Sequence, residues 1–211
     1  MSTSYYPAAD PGDHEHTMIK ITSLPHDPYT DHLGYLEVGT PGTDKASGRY
    51  RPIMHITLPD EGKVEGDVTW AKIWLMARNI VGTPSDSTYS FRHVTQYDWY
   101  DYYTHGDACC DYTCYQHSAG AWTVAWGDTA APTCSFSGPA SPGWFSVDIT
   151  DMVKHCITNH ARDINMLIFH GEEASTSWNF NCKHNATPAN RWYVEVEWAA
   201  AAAGKSQIII F

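Results

Sequence analysis

Charge is scarce in this chain, and positive charge is scarcest. Only 18% of the 211 residues are Asp, Glu, Lys or Arg, against about a quarter in an ordinary globular domain. Thirteen Lys and Arg stand against 24 Asp and Glu, for a formal net charge of -11. The cations are scattered, with no run of three. Phosphate backbones are held by clustered cations, so the sequence argues against a nucleic-acid partner. An anionic membrane surface is disfavoured on the same ground. No stretch reaches the ~20 apolar residues that a membrane span needs. Residues 1–17, "MSTSYYPAADPGDHEHT", have neither the basic start nor the apolar run of a secretory signal. The expectation is a chain made in a cytoplasm and not exported by a standard signal. The closing "WAAAAAGKSQIIIF" is too short to span and is broken by Gly204, Lys205, Ser206 and Gln207.

Signatures of common chemistries are missing too. There is no "GxGxxG", no true P-loop and no "HExxH". The "GKS" at 204–206 lacks the upstream Gly and the apolar strand of a phosphate loop. Two carboxylate pairs occur, Asp148 with Asp151 and Glu172 with Glu173. A glycosidase needs two carboxyls facing each other across a cleft. Asp148 reads instead as a helix cap and "GEE" as a turn. No internal repeat is found.

Aromatics are plentiful: nine Trp and 13 Tyr contribute to 13% aromatic content, within 43% apolar overall. That is enough for a real core, and Trp and Tyr suit strands and polar-rimmed interfaces. The 12 His mean that mild acid would cancel much of the negative charge, making association pH-sensitive.

Six Cys are present, Cys109, Cys110, Cys114, Cys134, Cys156 and Cys182. They permit up to three disulfides, in fifteen connectivities if all pair. Adjacent Cys109 and Cys110 pair more easily with different partners than with each other. A zinc reading wants C-x2-C spacing, which "CC-x3-C" does not supply cleanly. Disulfides, a metal and buried free thiols all stay open, and cytoplasmic synthesis disfavours disulfides unless the protein ends up outside the cell.

Along the chain, residues 1–17 read as an N-terminal arm. Strands are expected at "TMIKITSL" (17–24), "YLEVG", "RYRPIMHITLP" (49–59), "VTWAKIWLMARNI" (68–80), "STYSFRHVT" (87–95) and "AWTVAWGD" (121–128). An edge strand is expected around "TCSFS", and further strands at "INMLIF", "STSWNFNCK" (175–183) and "RWYVEVEW" (191–198). In the last, Trp192, Val194 and Val196 face one way and Tyr193, Glu195 and Glu197 the other. Residues 96–121 form a long insertion rich in Cys and aromatics, beyond the ordinary length of a loop. In "GWFSVDITDMVKHCITNHARDINMLIF" (143–169) the period changes. After a strand, Ile149, Met152, Val153, Cys156 and Ile157 fall on one helical face, with Thr150 or Asp148 able to cap its start. About nine or ten strands at this spacing predict an all-β, jelly-roll-like antiparallel sandwich over 18–198, with one short capping helix and a tail at 199–211.

These pieces, in this order, resemble the DNRLRE-type domain, a β-sandwich related to a family of carbohydrate-binding modules. "YLEVG…RYRPIMHITLPDEGKVEGDVTWAKIWL" looks like that family's opening. "DWY" (98–100) and "VAWGD" (124–128) resemble its paired Trp motifs, "FSVDITDMV" (145–153) its "F-D-V-T-x-x-V" segment, and "RWYVEVEW" its closing strand. The likeness spans roughly 18–198. Here the Cys-rich insertion separates Trp99 from Trp126, whereas the family keeps its two Trp motifs close. The resemblance implies that the "DIT" helix crosses one end of the sandwich and plugs its core, a structural role.

Several clusters are candidate sites. His14, Glu15 and His16 make an H-x-H half-site without a third ligand nearby. His105, Asp107, Asp111 and three thiols crowd into "THGDACCD" without a catalytic signature around them. "NAT" (185–187) matches a glycosylation sequon. The strongest lead is "YDWYDYY" (97–103): Tyr97, Trp99, Tyr100, Tyr102 and Tyr103 could stack on sugar faces or form a protein hot spot. Ile208, Ile209, Ile210 and Phe211 form an apolar β-former that suits pairing with a neighbour. Neither a metal nor a cofactor is expected. Together these features predict a non-catalytic structural protein of a virus particle, most naturally a bacteriophage: a decoration, fibre or tail-associated subunit, homo-oligomeric and contacting other virion proteins. The alternative is a carbohydrate-binding module for a cell-surface glycan. A metal-dependent enzyme is a third, weaker reading.

Overall fold

Alternation of apolar and polar residues lays down the strands, and their pairing makes the sandwich. The computed structural model describes residues 2–7, 16–21, 35–39, 49–60, 62–95, 128–170, 176–181 and 185–200. Among these, the strands are β1 (Ser2–Pro7), β2 (His16–Ile21), β3 (Tyr35–Gly39), β4 (Arg49–Thr57), β5 (Val68–Val81) and β6 (Thr88–Val94). They continue with β7 (Thr129–Ser137), β8 (Gly143–Asp148), β9 (Asp163–His170), β10 (Ser177–Asn181) and β11 (Tyr193–Trp198), and the helix α1 (Thr150–Asn159) lies between β8 and β9. Two antiparallel sheets pack as a sandwich, as the alternation predicts. The strand expected at 121–128 lies outside the described residues up to Asp128. Within the expected N-terminal arm, Ser2–Pro7 form a strand by pairing with β11.

The hydrogen-bonded path runs β1-β11-β5-β10-β3-β4-β9-β6-β7, with β2 on β4 and β8 on β5. The long β5 is the hinge of this arrangement. Lys72, Ile73 and Trp74 have partners in both β8 and β11, and Ala77 has partners in both β8 and β10. So β11 and β10 follow one another along one edge of β5, while β8 takes the other.

Within β5, Ala71, Ile73, Leu75 and Ala77 point inward and are buried. They join Val194 and Val196 of β11, Leu36 and Val38 of β3, Met54 and Ile56 of β4, Phe91 of β6 and Ile164, Met166 and Ile168 of β9 in one core cluster. Each of these side chains larger than alanine contributes about 1.5–3 kcal/mol when removed from water. Strands β4 and β9 depart from simple alternation. Arg51, Ile53, His55, Asn165 and Leu167 are buried as well, so these two strands are covered on both faces.

The "DIT" turn shows why a helix interrupts the strands. At the end of β8 the ladder with β5 reaches Lys72 opposite Asp148. The next backbone bond runs from Ile149 N–H to the Ala71 carbonyl, 2.9 Å. The chain then turns into α1, and a side chain replaces the strand: Ala71 N–H donates to Thr150 Oγ1 at 2.9 Å, and that hydroxyl donates back to the Ala71 carbonyl at 3.4 Å. Asp148 Oδ1 accepts the Thr150 N–H at 2.9 Å. The N-cap residue is Ile149, with no side-chain cap bond, so neither Asp148 nor Thr150 holds that position. Ile149, Met152, Val153 and Cys156 are fully buried, and Ile157 packs beside them. The helix lies against β5, β7 and β9 and covers core residues between them.

The exit from α1 is fixed just as firmly. Ala161 and Arg162 have φ of 48° and 73°, left-handed conformations that non-glycine residues seldom adopt. Surrounding bonds hold them there. Arg162 N–H donates to the Cys156 carbonyl and the Arg162 carbonyl accepts Leu58 N–H, both at 3.1 Å. The guanidinium meets Asp60 at 2.9 Å and donates to the Lys63 carbonyl.

Candidate functional site

The aromatic cluster expected from the sequence, Tyr97, Trp99, Tyr100, Tyr102 and Tyr103, lies outside the described residues. So do Cys109, Cys110, Cys114 and Cys182, the His105, Asp107 and Asp111 group, His14 and Glu15, Glu172 and Glu173, and the tail Ile208–Phe211. Of the cysteines, Cys134 sits on β7 and Cys156 on α1, and they are not bonded to each other. Burial, followed by the nearby Asp151 and Asp148, raises the Cys134 pKa to about 11, against a partial opposing hydrogen bond from the Met152 backbone. A thiol held that high is a poor nucleophile at neutral pH.

A different aromatic group assembles on the outer face of β11, β5 and β8. Alternation turns Tyr193 and Glu195, Lys72 and Trp74, and Trp144 and Ser146 away from the core. The register sets Tyr193 opposite Trp74, Glu195 opposite Lys72, and Trp144 opposite Met76. Trp74 and Tyr193 stack with centroids 6.0 Å apart and planes 13° apart. Trp144 meets Tyr193 edge-on at 5.5 Å and is 39% exposed. Trp74 Nε1–H donates to Glu195 Oε2 at 2.7 Å, which fixes the indole. Lys72 Nζ lies 5.0 Å above the Trp70 ring. Three linked rings flanked by a carboxylate and an ammonium form an amphipathic shelf. The outward direction of Trp144 is legible from alternation, but its meeting with Tyr193 depends on strand order.

A second cluster, absent from the sequence reading, gathers three histidines. His93 comes from β6, His155 from α1, and His160 from the residue that ends α1. One ligand nitrogen from each lies within 4.8 Å of the others. His155 Nε2 and His160 Nε2 are 3.2 Å apart, so one ring donates to the other. His93 packs against both, at ring-centroid distances of 5.0 and 4.7 Å. It is 2% exposed. Burial first, then the neighbouring His160 and His155, lower its pKa to about 4. Burial and His155 also lower the pKa of His160, against an opposing pull from Asp163. Both shifts favour the neutral ring at His93 and His160, the state in which imidazole ligates metals.

The spacing hid this group. On a continuous helix, residues five apart point about 140° away from each other, so "HCITNH" carries no ligand signature. His160 meets His155 only because the backbone leaves the helix there, at φ -135° and ψ 32°. Beside His155 a groove of about 390 Å³ opens, lined also by Glu65, Asp151, Lys154 and Asn159.

No protein-family model matches this chain. No curated protein matches it in sequence either.

Proposed function

We propose that the chain is a non-catalytic structural protein of a virus particle, a β-sandwich subunit that acts by contact with other copies and with neighbouring virion proteins. The observation that supports this reading is the way the N-terminal strand is attached. β1 ends the strand path and pairs with β11 through six residue pairs, Ser2 opposite Trp198 through Pro7 opposite Tyr193. Its described side chains are exposed at Ser2 and Thr3 and half-buried at Ser4, where Oγ accepts the Trp198 Nε1–H at 3.2 Å. Main-chain pairing thus ties this strand to a sheet edge, the bond type by which one chain adds a strand to another. β2, the next strand in sequence, pairs with β4 in a distant part of the path. An edge strand tied in this way suits exchange between copies. Light scattering on the full chain, and on a chain lacking residues 1–7, tests the reading. A stable oligomer that weakens on truncation is expected. A monodisperse monomer at high concentration refutes it.

The shelf of Trp74, Trp144 and Tyr193 favours a second reading, recognition of a glycan. Sugar rings stack on exposed aromatic faces, while groups such as Glu195 and Lys72 bond hydroxyls. A glycan array tests it: binding by the intact chain should be lost in Trp144→Ala, and an array without any bound sugar rejects this second reading.

A further inference from the structure

We propose that His93, His155 and His160 form a binding site for one divalent transition-metal ion of the zinc type, which clamps the end of α1 to β6. This site is independent of the virion and glycan readings. The argument begins with donor chemistry. Three imidazole nitrogens suit Zn²⁺, Cu²⁺ or Ni²⁺, whereas Ca²⁺ and Mg²⁺ call for oxygen ligands. Zinc–nitrogen bonds of about 2.0–2.1 Å in tetrahedral geometry place ligand nitrogens about 3.3 Å apart. The His155 and His160 nitrogens already stand 3.2 Å apart. The third lies within 4.8 Å of both, so a closure of at most about 1.5 Å completes the set.

Preorganisation supports the site. His93 is fixed in the ladder of β6, opposite Ala130 of β7 and Met166 of β9. His160 is fixed by the left-handed pair Ala161 and Arg162 that follows it. The groove beside His155 offers a route from solvent. Three protein ligands leave a fourth position for water. A bound ion would join residues 62 or more positions apart in the chain, from β6 to the end of α1, and so tie the core plug to the sheet.

The test uses the full chain, stripped with a chelator, at neutral pH. Zn²⁺ alone is titrated in competition with a chromophoric chelator, and Co²⁺ absorption reports the coordination. One equivalent of Zn²⁺ is expected, with a rise in melting temperature and the intense visible bands of a tetrahedral Co²⁺ site. His155→Ala and His160→Gln should each lose the saturable step and the thermal shift, while His14→Ala keeps both. Circular dichroism verifies that the variants fold. His160 is half-exposed at a helix end, so its Gln variant keeps the test open if His155→Ala does not fold. The proposal is overturned if the wild-type chain takes up no stoichiometric Zn²⁺. It is equally overturned if both cluster variants bind as the wild type does, which would assign the ion to other histidines.

Discussion

Replacing Thr150 with Val should expose the energetic role of the "DIT" turn. The substitution keeps the side-chain shape and deletes one oxygen. That oxygen accepts the N–H of Ala71, a fully buried residue of β5, at 2.9 Å. On its other edge β5 is occupied by β11, and β8 has already turned into α1. Without the hydroxyl, the Ala71 N–H loses its partner in the interior. An orphaned buried donor costs about 1–3 kcal/mol. The Ala71 carbonyl is less affected, because it keeps the Ile149 N–H at 2.9 Å. For a domain of this size each kcal/mol moves Tm by about 2–4 °C, so a loss of about 2 kcal/mol lowers Tm by about 4–8 °C. Thr150→Ser retains the oxygen and should cost less than about 1 kcal/mol, mainly a methyl. Urea denaturation followed by Trp fluorescence measures both variants. A Val variant within about 0.5 kcal/mol of the wild type would refute the argument, as would a Ser variant as damaged as the Val one.

Three further outcomes are expected. Gly39→Ala places a Cβ 2.2 Å from the Thr176 carbonyl at a φ of +102°, so the junction of β3 and β10 should lose about 3 kcal/mol or more; a thermal melt within about 2 °C of wild type contradicts this. Met152→Ala empties a fully buried site in the helical plug and should cost about 2–5 kcal/mol, read by the same denaturation assay. Cys134, held up to about 11, should react with iodoacetamide about a hundredfold more slowly at pH 8 than an ordinary thiol, as peptide mass mapping would show. Its folded pKa lies above its unfolded value, so its stabilising effect is present below about pH 9 and is lost as pH rises towards 11. A native Cys134 labelled as fast as the unfolded chain contradicts that assignment.

Periodicity made much of the fold legible. The alternation in "RWYVEVEW" is reproduced in β11, where Val194, Val196 and Trp198 are buried and Tyr193, Glu195 and Glu197 are half-exposed. The apolar face of "DITDMVKHCI" became the buried face of α1. These patterns are local, because backbone geometry alone converts a spacing of two or of three to four into one face. Other features were not legible. Arg51, His55 and Asn165 are buried in β4 and β9, although their polar character reads as solvent-facing. The Thr150 hydroxyl reads as a cap and instead continues the ladder of β5.

The sequence by itself determined the all-β class, the position of the α-helix that follows β8 and which side of most strands faces inward. Tertiary structure alone decided which distant residues became neighbours. Trp74, Trp144 and Tyr193 meet because β8 and β11 flank β5, and His93 reaches His155 and His160 because α1 ends in the vicinity of β6. The reason is physical: a strand's facing depends on its own residues, whereas its neighbours depend on long-range pairing that no short window of the chain encodes.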